Sequence, residues 1–440
     1  MINVNLETDL QSMVDAINYA GADIVHKALY DITLHTPNHD LALNNYISID
    51  KVSDFIKNTS ENITVALYIP LGDYVKHVYT QRDNLRMSLV YTVIGNESVI
   101  RYKCILKSPP DDVVRGLYNS TSLEELNAKE DIPVMFQLLS ETGEAMRTRS
   151  VSGTYKGKDP HEVLASLVND TLQATEKTME VVKKSVMIHP AANTRKYDHI
   201  VLPSTNIIDL PKHLQDGDCG VYNGGIGMFL KSDGLEEIMH IYSTHNPSHD
   251  TKNKRILNIY GVVGRLGPRT NNTYTVDGDI VNILVELGDV PFDVGNDKHI
   301  AHGVGYNVMD SDSVLTRSHT ISEDDVTTKP GNTLRKHIHK KMPDNNYTIA
   351  HADPTNNFYK LRSNVLANDG KNIIINWPKS NTRLLDPAMA VVLYMNDPNG
   401  VLVKYAGILH GIHTTTKKDT DLESAILNVF VTNDDKKEEV

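Results

Sequence analysis

Residues 62–79 read NITVALYIPLGDYVKHVY. The first half alternates strictly. Ile63, Val65, Leu67 and Ile69 fall on one side of an extended chain, and Thr64, Ala66 and Tyr68 on the other. Period two marks a strand with one buried face. At Pro70 the run meets a Leu-Gly-Asp turn, then resumes with aromatic and β-branched residues from Tyr74 to Tyr79. Proline offers no ladder donor and a strand glycine marks a bulge or bend, so Pro70 and Gly72 read as a corner in a β ribbon. On that reading the halves 63–69 and 74–79 pair laterally across the corner.

The surrounding chain supports a β-rich reading. NNYISID (44–50) and DFIKNTS (54–60) precede the stretch, and strand-like patterns continue from Val75 to Ile94 and through SVIRYKCILKS (98–108). Hairpin-scale spacing of this kind predicts an antiparallel barrel or small sandwich. SPPDD (108–112) ends it, because two prolines do not extend a central strand. Residues 9–28 have helical periodicity around Gly21, and VMFQLL (134–139) is a short apolar strand. The clearest helix is expected over 159–184. Asp159 caps it, Pro160 takes its first turn, Val163, Leu164, Leu167, Val168 and Leu172 form its apolar stripe, and Lys183 and Lys184 suit its C-terminal end. Its length suggests packing on a neighbouring subunit.

Residues 199–242 read as a strand, a short helix from Leu210 to Leu214, a glycine-rich turn (Asn223 to Gly227) and a hairpin closing at Ser232-Asp233-Gly234. ILNIYGVVGRLG (256–267) sits in polar, turn-rich sequence, and VNILVEL (281–287) is a further strand. Residues 289–357 are loop-like and full of His, Asn, Asp and Thr. From 371 to 432, NIIINW, MAVVLYM, VLVKYAGILHGIHTT and SAILNVFVT return to strands, with a turn at Asp397-Pro-Asn-Gly400. The expected fold is therefore β-rich α+β and multi-domain, with two small antiparallel β-barrels and intervening α+β segments. The units are 1–155 (N-terminal barrel), 156–275 (α+β, with the helix and glycine-rich hairpin), 276–365 (irregular connecting region) and 366–440 (C-terminal barrel).

At 440 residues the chain exceeds what one core usually serves. Apolar residues at 40% and charged residues at 23% place it among ordinary globular proteins rather than disordered ones. No apolar run approaches the ~20 residues of a spanning helix, so no membrane span is expected, and the N-terminal residues do not read as a secretory signal. Two distant cysteines, Cys104 and Cys219, form neither a disulfide framework nor a Cys-rich zinc site and read as small buried hydrophobes. A formal charge of -12 argues against specific nucleic-acid binding, which calls for clustered Lys and Arg.

The chemical motifs are weak. His337-x-His339 is flanked by Arg335, Lys336, Lys340 and Lys341, a field that opposes a metal cation and reads as a basic solvated or anion-facing patch. His410-x-x-His413 and His245-x-x-x-His249 with Asp250 have ligand-like spacing, but no Glu follows His245 as a metalloprotease helix requires, and a proline interrupts the segment. Gly261, Gly264 and Gly267 lack the following helix of a dinucleotide fingerprint, and no G-x-S-x-G elbow or Walker lysine is present. No catalytic residue, cofactor or metal is therefore expected.

The block 200–242, with Leu214, Gly220, Tyr222, Gly224, Gly225, Phe229 and Ile241, resembles a segment of hub proteins from tailed-phage tails. VALYIPLGDYVKHVYTQRDNLRMSLVYT is similar to the N-terminal barrel region of such hubs. Residues 372–416, with the cluster Asp386, Pro387, Ala388 and Met389, are similar to their terminal barrel. The resemblance covers about half the chain and does not extend over 289–357. It implies a non-enzymatic virion protein, assembled in the host cytoplasm. It also implies a homotrimer whose paired barrels adapt a sixfold tail tube to a threefold central spike and line the DNA channel, beside baseplate wedge proteins. Pro70, Gly72, Tyr74, Tyr79, Tyr222, Gly224, Gly225, Asp386 and Met389 are then the candidate assembly-interface positions. The alternatives are another baseplate or neck component, a metal-dependent hydrolase using the His clusters, and a carbohydrate-binding β module. For the last, tyrosines would have to replace scarce Trp and Phe.

Overall fold

The structure, a computed structural model, describes residues 29–93, 96–108, 131–176, 183–217, 219–232, 236–245, 255–263, 274–287, 307–308, 317–318, 359, 363, 367, 370–396, 402–420 and 422–432. Its strands are β1 (Leu29–His35), β2 (Asp40–Ala42), β3 (Tyr46–Asp54), β4 (Asn62–Pro70), β5 (Arg86–Val93), β6 (Asn96–Ser108) and β7 (Asp131–Ser140). Then come β8 (Ser150–Tyr155), β9 (Lys183–Ile188), β10 (Ile200–Asn206), β11 (Ile226–Ser232), β12 (Glu236–Ser243), β13 (Ile256–Val263), β14 (Tyr274–Asp277) and β15 (Ile280–Leu287). The last are β16 (Asn307–Val308), β17 (Arg317–Ser318), β18 (Gly370–Trp377), β19 (Ala390–Asn396), β20 (Leu402–Lys417) and β21 (Glu423–Thr432).

β4 is built as its alternation dictates. Ile63, Val65, Leu67 and Ile69 are fully buried, and the strand is central, paired antiparallel to β3 on one side and β7 on the other. Pro70 occupies its last position, opposite Asp131, where no further ladder is required. The corner expected beyond it is not there. Leu71–Asp73 begins a helical stretch that continues through a π turn at Tyr74–Val78 and a 3-10 turn at Tyr79–Asn84. The segment 74–79 therefore pairs with no strand. The reason lies in its spacing: Leu71, Tyr74, Val75 and Val78 recur at i, i+3, i+4 and i+7, one face of a helix. Leu71, Tyr74 and Val78 are buried against the core that β4 lines. DFIKNTS also departs from the strand reading. The Asp54 carboxylate accepts from the backbone N–H of Ile56 (2.9 Å) and Lys57 (3.0 Å), which turns the chain at once.

Among the described residues, fourteen strands join in one sheet with two arms. The N-terminal arm runs β3-β4-β7-β6-β5-β1-β2, antiparallel throughout. The other arm runs β14-β15-β13-β19-β20-β21-β18. In it β13 pairs parallel with both β15 and β19, which departs from an all-antiparallel expectation. The arms are joined by β20. Its first half pairs with β19, its second half with β3, and a bulge between Leu409 and Gly411 separates them. No ladder closes either arm into a barrel among the described residues, so the expected pair of closed barrels is not seen.

A third, smaller unit lies between the arms. The Pro160–Glu176 helix starts as expected, with the Asp159 carboxylate accepting from the Glu162 N–H at 2.7 Å. It is shorter than expected, because Lys183 and Lys184 open β9 instead of closing the helix. Its stripe Val163, Leu164, Val168 and Leu172 packs within the chain's own third core, beside the Leu210–Asp216 helix, rather than on a neighbouring subunit. β11 and β12 form the expected hairpin, and β9 lies parallel to β12. The segment 9–28, the turn residues 397–400, His249, His337 and His339 fall outside the described residues. No helix of the described residues is long and apolar enough to cross a membrane.

Candidate functional site

The β11–β12 hairpin is fastened to both arms, and a cavity lies at the junction. Toward the N-terminal arm, the Leu230 N–H donates to the Thr59 carbonyl at 2.7 Å. The Tyr242 hydroxyl donates to the Phe55 carbonyl at 2.7 Å, and Phe55 meets Phe229 edge-on at 4.8 Å. Toward the other arm, Lys231 Nζ donates to the carbonyls of Arg383 (3.2 Å) and Leu385 (2.8 Å) and to Asp386 Oδ1 (2.6 Å). His410, held in the β20 bulge, donates through Nε2 to the Thr244 carbonyl at 2.7 Å. Glycine is required at two places here. Gly225 has φ +81°, a left-handed conformation that side chains resist, and a Cβ at Gly227 would overlap the Tyr242 ring across the hairpin.

The cavity has a volume of about 710 Å³ and is walled by all three units. From β3, Lys51 donates to the Tyr30 hydroxyl at 2.8 Å. Burial works against the charge of Lys51, but Tyr30 and Glu61 outweigh it and raise its pKa. Burial pushes Glu61 above the ordinary carboxylate range, with Lys51 and Lys231 opposing the rise. Glu423, 3% exposed, accepts from the Thr382 N–H and hydroxyl, both at 2.8 Å, and from Ser380 at 3.2 Å. Arg383 stacks over the Tyr91 ring at 3.8 Å. Burial also works to raise Asp386, yet the Lys231 ammonium overcomes it and holds the carboxyl below its usual value. His240, on β12, is 2% exposed, and neither ring nitrogen has a hydrogen-bond partner among the described residues. Its burial lowers its pKa from the ordinary 6.5 to about 4, so the ring is neutral at pH 7.

The positions singled out in the sequence do not gather in one place. Pro70, Gly72, Tyr74 and Tyr79 lie at the end of β4 and in the helical stretch after it, with Tyr74 fully buried and Tyr79 packed 6.2 Å from it. Tyr222 is buried and donates to the His189 carbonyl at 2.6 Å. The Gly224 carbonyl accepts from the Thr244 hydroxyl at 2.8 Å, and Gly225 neighbours it in the same turn. Asp386 and Met389 both line the cavity, Met389 being buried. Lys51, Glu61, Lys231, His240, Arg383 and Glu423 carry the cavity's chemistry and were not among the sequence candidates. The available signal was a lysine and a histidine inside apolar hairpin strands, IGMFLKS and EEIMHIYS.

The histidine motifs are rearranged by the fold. His245 lies 5.2 Å from His410, ring against ring, and both pack on Phe430. His413 is exposed on β20, on the opposite side of the bulge. His245 Nδ1 faces the Gly224 carbonyl and Thr244 hydroxyl. Among the described residues no cluster of three or more His, Cys, Asp or Glu is arranged to hold a metal. Cys104 and Cys219 are both buried and form no disulfide among the described residues, and burial raises the Cys104 pKa.

No family model matches the chain, and no curated protein does. Among solved structures it is similar to a tail protein from Neisseria meningitidis, at 13% identity and a TM-score of 0.45, covering 91% of this chain and 96% of that one. It is similar to a prophage MuSo2 tail protein from Shewanella oneidensis, at 7% identity and a TM-score of 0.44, covering 91% and 98%. A third is an Escherichia coli component of the type VI secretion system, described as structurally similar to tail proteins of bacteriophage T4. Its values are 10% identity, a TM-score of 0.42 and coverage of 91% and 76%.

Proposed function

We propose that the chain is a structural protein of a phage tail, and within that class a trimeric baseplate hub that joins a tail tube to a central spike. The observation that carries the reading is the union of both arms into one ladder through β20. Two β modules locked side by side in a single subunit are what an annulus needs if three copies are to present six similar positions. The outward faces fit the same role. Tyr68, Ile105 and Met135 are 40%, 42% and 44% exposed on the outer face of the N-terminal arm, and Ile374 is 73% exposed on the other. Apolar sheet faces of this kind are commonly covered by a partner. The sheet ends at β2, β14 and β18, each with a ladder partner on one side only among the described residues. Neighbouring copies would satisfy such edges. The structural likenesses, at their scores, add no weight to the reading.

The finer expectations belong to the same proposal: the division at 155, 275 and 365, and the assembly role of Pro70, Gly72, Tyr74, Tyr79, Tyr222, Gly224, Gly225, Asp386 and Met389. So do the tube, spike and wedge partners, the virion location and a DNA channel through the ring. Three copies, at -12 each, carry -36, a field that repels phosphate and lets DNA pass without sticking. Rotational symmetry tests the proposal. Negative-stain images and light-scattering mass of the purified chain, alone and mixed with tube and spike proteins, are expected to show threefold rings. A monomer under all three conditions, or sixfold rings, removes the hub.

A further inference from the structure

The junction cavity holds more hydrogen-bonding capacity than the protein uses. His240 is 2% exposed, lines the cavity and has no partner for either nitrogen among the described residues. Asn381 Oδ1, on a residue of the cavity wall, is buried without a partner among the described residues. The half-buried Glu61 lines it too, answered electrostatically by Lys51 and Lys231 but by no hydrogen bond among the described residues. Buried polar atoms left unmade cost about 1–3 kcal/mol each, so two such residues at the wall of one cavity call for a partner.

We propose that this cavity binds a neutral, polyhydroxylated small molecule of sugar size. The volume of about 710 Å³ lies in the range of small-molecule sites. The charge arrangement selects against ions. Lys51, Lys231 and Arg383 oppose a cation, while Glu61, Glu423 and Asp386 oppose an anion. The strongest charges are already matched inside the protein, Lys231 by Asp386 and Glu423 by Thr382 and Ser380. What remains free is mixed. A neutral imidazole presents one donor and one acceptor, the Asn381 oxygen accepts, and Glu61 accepts, or donates when protonated. A hydroxyl both donates and accepts, so neighbouring hydroxyls on one ring answer this set without a net charge. The rim is open where Arg255 and Asp279 are exposed.

Isothermal titration of the full chain tests this, with glucose, maltose and N-acetylglucosamine as probes and inorganic phosphate and putrescine as ionic comparators. At least one sugar is expected to bind with Kd on the order of 1 mM or tighter, and neither ion. His240→Phe keeps the ring but removes both nitrogens, and is expected to weaken that sugar about tenfold or more. Should His240→Phe fail to fold, Glu61→Ala serves instead, with the same expected loss. No sugar binding up to roughly 50 mM, binding of an ion in place of the sugars, or unchanged sugar affinity in a folded variant overturns the proposal. The subunit symmetry is measured separately, so this result and that of the hub reading are independent.

Discussion

Gly227 faces Tyr242 across the β11–β12 hairpin, and the Tyr242 hydroxyl reaches on to the Phe55 carbonyl. One missing methyl group thus lets the hairpin lie flat on the N-terminal arm. Gly227→Ala would drive the ring out of this position and break that hydrogen bond. Overpacking of this kind costs about 1–3 kcal/mol. A lower urea midpoint than wild type is expected, and an unchanged midpoint would show that the ring has other room. Sequence reading saw Gly227 only as part of a turn, because its constraint comes from a tyrosine on the next strand and a carbonyl 172 positions earlier in the chain. His240 was hidden for the same reason. Its wall is shared with Asp386 and Lys51, and no local pattern marks a histidine whose surroundings are assembled from three units.

At the scale of elements, two buried neutral imidazoles, His240 and His410, sit at the seam between hairpin and sheet, and His410 bonds across it. Burial lowers His240 and His410 to about 4, with the neighbouring Asp386 and Lys231 acting in opposite senses on the first. For the second, the Thr244 carbonyl and Asp54 favour the proton and His245 opposes it. Above about pH 6.5 both folded and unfolded chains hold these rings neutral, and no penalty applies. As pH falls from about 6.5 to 4 the unfolded chain takes up protons that the folded chain refuses, so stability falls, by at most roughly 3 kcal/mol per ring. Glu61, raised by burial, acts in the opposite sense above its unfolded value and offsets part of this. Urea midpoints measured from pH 7.5 to 5 are expected to decline, and less steeply in His410→Gln. Equal slopes would show that the seam does not sense protons. Elements themselves were legible where one period ruled. β4 follows from Ile63, Val65, Leu67 and Ile69. The helical stretch after it was misread because Tyr74, Val75, Val78 and Tyr79 are β-forming residue types, although their spacing is helical, and packing on the core decided between the two.

At the scale of the whole molecule, the two arms share β20 and the hairpin bridges both, so neither has a complete set of backbone partners alone. Unfolding is therefore expected to be concerted. The single tryptophan, Trp377, is fully buried in the second arm and reports on it alone, whereas far-ultraviolet dichroism averages every strand. Urea curves from the two probes are expected to coincide. Separate midpoints would show that the arms come apart first at β20. The joint itself was beyond the sequence. VLVKYAGILHGIHTT reads as one strand, but nothing local says that its two halves serve different neighbours, and the bulge at His410 that divides them looks like any histidine in a β run.

A strand that belongs to two modules has a mechanical consequence. Tension applied to one arm along β20 passes straight into the other through covalent backbone, while the flanking hydrogen bonds on either side are loaded in shear, all at once, rather than peeled singly. The subunit should behave as a stiff yoke: the arms cannot swivel against each other without tearing ladders. Whatever bending a larger machine requires must take place between molecules and not within this one.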